Sequence, residues 1–141
     1  MLDPSLRPAT VAARLVSAGF SGRSLAALLL DQGFLAGMGN YLRSEVLFEA
    51  RISPGRCPRE LDGTERQRLA AALLAVPRCS YRTRGIERSS GMREDYLTDT
   101  TRAFRFRMFD RAGQPCEACG AVIRREELAG RRLYWCEGCQ R

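Results

Sequence analysis

The stretch GFLAGMGNYLRSE, residues 33–45, decides how the first half of this chain is read. Three glycines, Gly33, Gly37 and Gly39, fall within seven residues. Glycine enters left-handed backbone freely and weakens helices. A helix therefore ends before this stretch and another begins on its far side. Residues 33–40 are expected to be a break, and residues 41–50 a helix with Leu42, Val46 and Leu47 on its inner face. Asn40 stands where the chain turns back into that helix. Asparagine there has two uses. It is a good N-cap. It can also stand beside the unpaired N–H groups and positive dipole end of a helix start, which attract phosphate. Gly37 and Gly39 leave room for another backbone to come close.

Outward from this stretch the first 80 residues read as helical. Residues 8–18 carry Val11, Leu15 and Val16 on one face, and Gly19 closes them. Residues 24–31 form a second short helix with Leu25, Leu28 and Leu29 inward. Asp62 and Glu65 have the spacing of a capping box and open a fourth helix, with Leu69, Leu73 and Val76 buried and Pro77 ending it. Residues 81–103 lack a clear period and read as a connecting loop, starting with a short extended YRTRG. Phe104, Phe106 and Met108 then alternate with Arg105 and Arg107, which predicts a strand. The expected organisation is a helical domain over 1–80, a loop over 81–103 and a small β unit over 104–141.

Composition narrows the chemistry. The chain has 141 residues, a net charge of +7 and a pI of about 9.6, a balance that suits a polyanionic partner such as nucleic acid. All 23 basic residues are arginine, and there is no histidine. No lysine amine is available for a Schiff base, and no imidazole for base catalysis or metal binding. The longest apolar run, residues 25–30, is too short to span a membrane, and no secretory signal opens the chain. A cytoplasmic setting without a membrane partner is expected. There, six cysteines point to metal before disulfides.

Cys116, Cys119, Cys136 and Cys139 follow the pattern C-x2-C-x16-C-x2-C. Two such pairs suit one tetrahedral Zn²⁺ bound by thiolates, against the alternative of a redox dithiol. Gly120 suits the tight knuckle after Cys119. Residues 121–127 and 132–135 read as two strands joined over 128–131, so the whole chain is mainly α with a small β-hairpin zinc finger. So few residues cannot fold on apolar burial alone, and the metal supplies much of the folding free energy. Zinc and four thiolates together lower the net charge to roughly +5. Cys57 and Cys79 have no such pattern and read as ordinary reduced cysteines.

A helix, a glycine-rich double turn, a second helix and a C-terminal four-cysteine hairpin together resemble the formamidopyrimidine-DNA glycosylase and endonuclease VIII family of base-excision repair enzymes. The stretch LLLDQGFLAGMGNYLRSEVLF is similar to its helix-two-turns-helix motif, and GQPCEACGAVIRREELAGRRLYWCEGCQR to its zinc finger. MLDPSLRP and PRCSYRTRG look like the endonuclease VIII branch, so the resemblance covers nearly the whole chain. Residues 86–103 depart from that pattern, and lesion preference does not carry over through them. The resemblance implies one structural zinc and a damaged double-stranded DNA partner. It implies that Asn40, with Gly39 at the turn, holds a phosphate beside the lesion, and that Arg131 reaches the same backbone region. Arg43, one turn further on, is expected to add a second contact. A bacterial, nucleoid-associated location follows from the same resemblance.

The resemblance also implies what this chain lacks. The family's nucleophile is an N-terminal proline followed by glutamate, in a separate β-rich domain. This chain opens Met1-Leu2-Asp3, and the nitrogen of Pro4 is already in a peptide bond. The expectation is the second half of such an enzyme, from a truncated or mis-started gene and inactive alone. Its catalytic half would then lie upstream or in another chain. The competing expectation is a zinc-stabilised scaffold that contacts protein.

Overall fold

A computed structural model describes residues 3–82 and 105–141. The described residues form four α-helices and one antiparallel hairpin: α1 Pro8–Leu15, α2 Leu25–Leu28, α3 Asn40–Ala50, α4 Gly63–Arg82, β1 Arg124–Leu128 and β2 Arg131–Trp135. The expected loop over 81–103 begins differently: residues 81 and 82 are the end of α4, not an extended segment, and residues 83–103 lie outside the described residues.

Local chemistry sets the helix starts. Pro8 occupies the first turn of α1, where its missing N–H costs nothing. The Ser24 side chain accepts the Ala27 N–H and caps α2. Asp62 and Glu65 exchange bonds at the head of α4: Glu65 N–H donates to Asp62 Oδ1 at 2.8 Å, and Asp62 N–H donates to Glu65 Oε2 at 2.9 Å. The capping box is therefore formed. Gly39, not Asn40, is the N-cap of α3, and no side chain caps it. Asn40 is the first helical residue, so the plain N-cap use does not apply to it.

Three expected elements differ. The first helix stops at Leu15, and Val16 is 45% exposed rather than on the inner face. Pro77 does not end α4, which runs on to Arg82. An interior proline loses its own N–H bond and crowds the carbonyl four residues back, so packing has to offset that cost. Burial of Leu73, Leu74 and Val76, and the contact of Ser80 Oγ with Tyr41 Oη at 3.1 Å, hold the helix on its course. Residues 105–108 are not a strand. Phe106 and Met108 are buried, as the alternation required, but the N–H groups of residues 107–109 donate to a carboxylate, that of Glu45.

The hairpin pairs Arg124 with Trp135, Glu126 with Leu133 and Leu128 with Arg131. Its turn is only Ala129-Gly130, both with positive φ, 56° and 74°. Two left-handed residues make the hairpin turn that matches strand twist. Arg131 is thus the first residue of β2 and not part of the turn. The main core joins Leu15, Leu25, Leu28, Leu47, Leu69 and Leu73, and it takes in Phe106 and Leu133 from the C-terminal part of the chain. A smaller cluster of Phe48, Met108, Cys116, Ile123, Tyr134 and Cys136 lies between α3 and the cysteines.

Candidate metal centre and nucleic-acid interface

The four cysteines of the motif converge. Their Sγ atoms all lie within 4.8 Å of one another, with Cys116–Cys139 at 3.8 Å and Cys119–Cys136 at 3.4 Å. A tetrahedron of Zn–S bonds near 2.3 Å has S–S edges of about 3.8 Å, so the set fits one Zn²⁺. The two knuckles are built differently. Gly120, at φ 79°, lets its N–H reach Cys116 O at 2.8 Å while Cys116 N–H reaches Ala121 O at 2.7 Å. In the second, a Cβ on Gly138 would stand 2.7 Å from Cys119 Sγ, so only glycine fits. The four thiols share one small space and their directions divide: the Ala121 N–H above all brings Cys119 down to about 7, while burial pushes Cys136 up and Cys139 up to about 12. Gln140, 2% exposed, accepts the Cys136 N–H at 2.9 Å and donates to Ile52 O at 3.1 Å, tying this knuckle to the helical unit.

The other ties come from three consecutive residues of α3. Arg43, Ser44 and Glu45 are all buried, at 0%, 0% and 2% exposure. Arg43 Nη1 donates to Ala26 O at 2.7 Å and Leu128 O at 3.0 Å. Its Nη2 donates to Asn40 Oδ1 at 3.0 Å, Arg132 O at 3.2 Å and Arg131 O at 3.3 Å. Ser44 Oγ accepts the Tyr134 N–H at 3.1 Å. Glu45 Oε1 accepts the N–H groups of Arg107, Met108 and Phe109. Burial pushes the Glu45 carboxyl up, and those three N–H groups and the Arg107 charge restrain the rise. Burial and the nearby Arg131 charge bring Arg43 down to about 10, which leaves it protonated at neutral pH.

The predicted DNA-facing residues therefore divide. Asn40 and Arg131 are brought together: one nitrogen, Arg43 Nη2, touches the side chain of the first and the backbone of the second. Arg131 is exposed, Asn40 and Gly39 are half-buried, and a Cβ on Gly39 would meet nothing within 4 Å. Arg43 is the correction. It has no exposed surface, and its forked donors are held by protein oxygens. It does not offer a second surface contact. Ser44 and Glu45 drew no attention in the sequence, where a polar run on a helix reads as solvated. The available signal was that the apolar residues Leu42, Val46, Leu47, Phe48 and Ala50 spread round the helix rather than along one face, and in the structure only Glu49 among residues 42–50 is exposed. A helix buried all round must pair its polar side chains inside.

Residues 2–90 match the model described as the formamidopyrimidine-DNA glycosylase H2TH domain, and residues 113–141 match that of the zinc finger found in FPG and IleRS. The chain belongs to the formamidopyrimidine-DNA glycosylase and endonuclease VIII family. It is 44% identical over 140 residues to endonuclease 8 of Shigella sonnei and to that of Escherichia coli, covering 99% of this chain and 51% of each relative. It thus spans about half the length of these curated relatives. Its fold is similar to the crystal structure of MutM (Fpg) from Thermus thermophilus, with TM-score 0.72, 36% identity, and coverage of 94% of this chain and 48% of that one. Lactococcus lactis Fpg, solved with DNA containing an abasic site, has the same fold at TM-score 0.76 and 23% identity, over 96% of this chain and 48% of that one. The family's zinc finger and the four clustered cysteines assign this chain one structural zinc. Among the described residues no helix is long and apolar enough to cross a membrane.

Proposed function

We propose that this chain is the DNA-gripping part of an endonuclease VIII-like glycosylase and AP lyase of base-excision repair. Asn40 and Arg131 hold backbone phosphates of a damaged duplex, and Gly39 keeps the approach to the start of α3 open. One observation carries this reading: Arg43 Nη2 joins the Asn40 side chain to the Arg131 backbone, beside a helix start that no side chain caps. Unpaired N–H groups and a positive dipole end favour phosphate there. The abasic-site DNA bound by the Lactococcus lactis relative supports the same partner.

Bond cleavage is proposed to come from a catalytic domain supplied upstream or in another chain, because lysine and histidine are absent from all 141 residues. A nucleoid-associated location accompanies this role. The test is binding of the zinc-loaded chain to a short duplex carrying a tetrahydrofuran abasic-site analogue, followed by fluorescence anisotropy. Affinity should fall steeply with salt, because each neutralised phosphate releases counterions. It should also fall on chelation and in Asn40→Ala. Salt-independent binding, or no binding with zinc in place, would favour the protein scaffold instead.

A further inference from the structure

Arg43 carries only donors, and its Nη2 lies 3.0 Å from the Asn40 side chain. The two ends of an asparagine amide are told apart by their partners. Facing a guanidinium, Asn40 must turn its oxygen inward, since the reverse would set N–H against N–H. The amide NH2 is then directed away from Arg43, and it has no hydrogen-bond partner among the described residues. An NH2 group is what a phosphate oxygen accepts from.

The charge of Arg43 points the same way. It is fully buried, its partners are carbonyl and amide oxygens, and no carboxylate pairs with it among the described residues. A buried cation without a counter-ion is costly. Exposed Arg131 adds a second positive charge beside it. An anion arriving from outside balances both.

We propose that Arg43 is a positioning residue of the DNA grip: it sets the Asn40 amide with its NH2 outward as a phosphate donor and pins the Arg131 backbone beside it. This rests on the phosphate-gripping reading above. Arg43 itself does not touch DNA.

The test is a double-mutant cycle on the zinc-loaded full chain, with the same tetrahydrofuran duplex. Asn40→Ala and Arg43→Lys should each weaken binding by about ten- to hundredfold, the range for a hydrogen bond to a charged group. In the Asn40→Ala background, Arg43→Lys should cost clearly less than in the parent, because only its hold on the Arg131 backbone is left to lose. The Asn40 side-chain amide resonances should shift on adding duplex in the parent and stay put in Arg43→Lys. Penalties that multiply in full would overturn the positioning role while leaving the phosphate reading intact. An Asn40→Ala variant that binds like the parent would instead sink that reading, and the proposal with it. Asn40→Asp decides the matter without altering Arg43. One oxygen keeps the inward bond and the other faces the phosphate, so zinc content and thermal stability should hold while affinity falls below that of Asn40→Ala. Affinity equal to or above that of Asn40→Ala would overturn the proposed amide orientation.

Discussion

The hydroxyl of Ser44, in the middle of α3, accepts the backbone N–H of Tyr134, in the second strand of the zinc hairpin, at 3.1 Å. Both residues are buried. Ser44→Ala would leave that N–H without a partner in a dry place. Such a loss costs about 1–3 kcal/mol. Chemical denaturation of the zinc-loaded protein should show a lower midpoint by this amount, with an unchanged slope. An unchanged midpoint would mean that the bond contributes nothing.

Zinc removal should reach beyond the finger. Arg43 and Glu45 flank Ser44, and their partners also lie on the C-terminal unit: Leu128, Arg131 and Arg132 for the first, residues 107–109 for the second. Without metal the cysteine loops lose most of their folding free energy. Glu45 then loses its three N–H partners, and Arg43 keeps only Ala26 and Asn40, which leaves both buried charges short of partners and is strongly unfavourable. Hydrogen exchange after chelation should therefore show lost protection in α3 as well as in the hairpin, with α1 and α4 less affected. Loss confined to residues 113–141 would contradict this coupling.

Acid should expose a different tie. Arg56 donates to both oxygens of Glu65 at 2.8 and 3.0 Å, and this bond, above all others, lowers the Glu65 carboxyl to about 2 from an ordinary 4.5. A lowered folded-state value means stabilisation that is complete above the unfolded value and is lost as pH falls through the folded one. The stability gap between the parent and Glu65→Gln should be constant above pH ~5 and should shrink from about 4.5 down to about 2. Acid releases zinc from both proteins alike, so the difference between their melts isolates Glu65. A gap that stays constant through this range would refute the tie.

Much of this was legible from residue patterns. Glycine density placed the break before α3, the Asp62–Glu65 spacing placed the head of α4, and the cysteine spacing placed the metal site. The misses share a cause. Pro77 and the alternation at 106–108 are local signals that packing overrode: α4 is held by its neighbours, and Glu45 accepts the N–H groups that a partner strand would have taken. Arg43 was expected to add a second phosphate contact because it lies one turn into the helix that starts at Asn40. Its burial depends on carbonyls 85 to 89 residues away, which no local pattern reveals. The family resemblance located Asn40 and Arg131 but said nothing of what holds them together.

The hairpin turn carries strain that a substitution should relieve. Ala129 sits at φ 56°, where a Cβ crowds the backbone, next to a Gly130 that bears no such cost. The strain is about 1–2 kcal/mol for a residue of this kind, and Asn tolerates the conformation far better. Asn-Gly is also the favoured pair for this turn. Ala129→Asn should raise thermal stability and slow zinc transfer to a chelator. Unchanged stability and unchanged transfer would show that the turn does not limit the finger.

Arg131 and Arg124 lie on neighbouring strands of one hairpin but should behave differently toward DNA. Arg124 is paired with Glu126 and Glu137. Arg131 is exposed, and its charge is felt by Arg43, whose Nη2 also holds Asn40. If Arg131 neutralises a phosphate, Arg131→Ala should weaken duplex binding and lower the slope of log affinity against log salt by about 0.9. Arg124→Ala, whose charge is already balanced within the protein, should leave that slope alone. Arg131→Lys should keep the slope, because it keeps the charge, while losing affinity if the planar fork matters. Anisotropy titrations over several salt concentrations separate these outcomes. Equal slopes for the parent and Arg131→Ala would remove Arg131 from the phosphate contact and leave Asn40 to carry it alone.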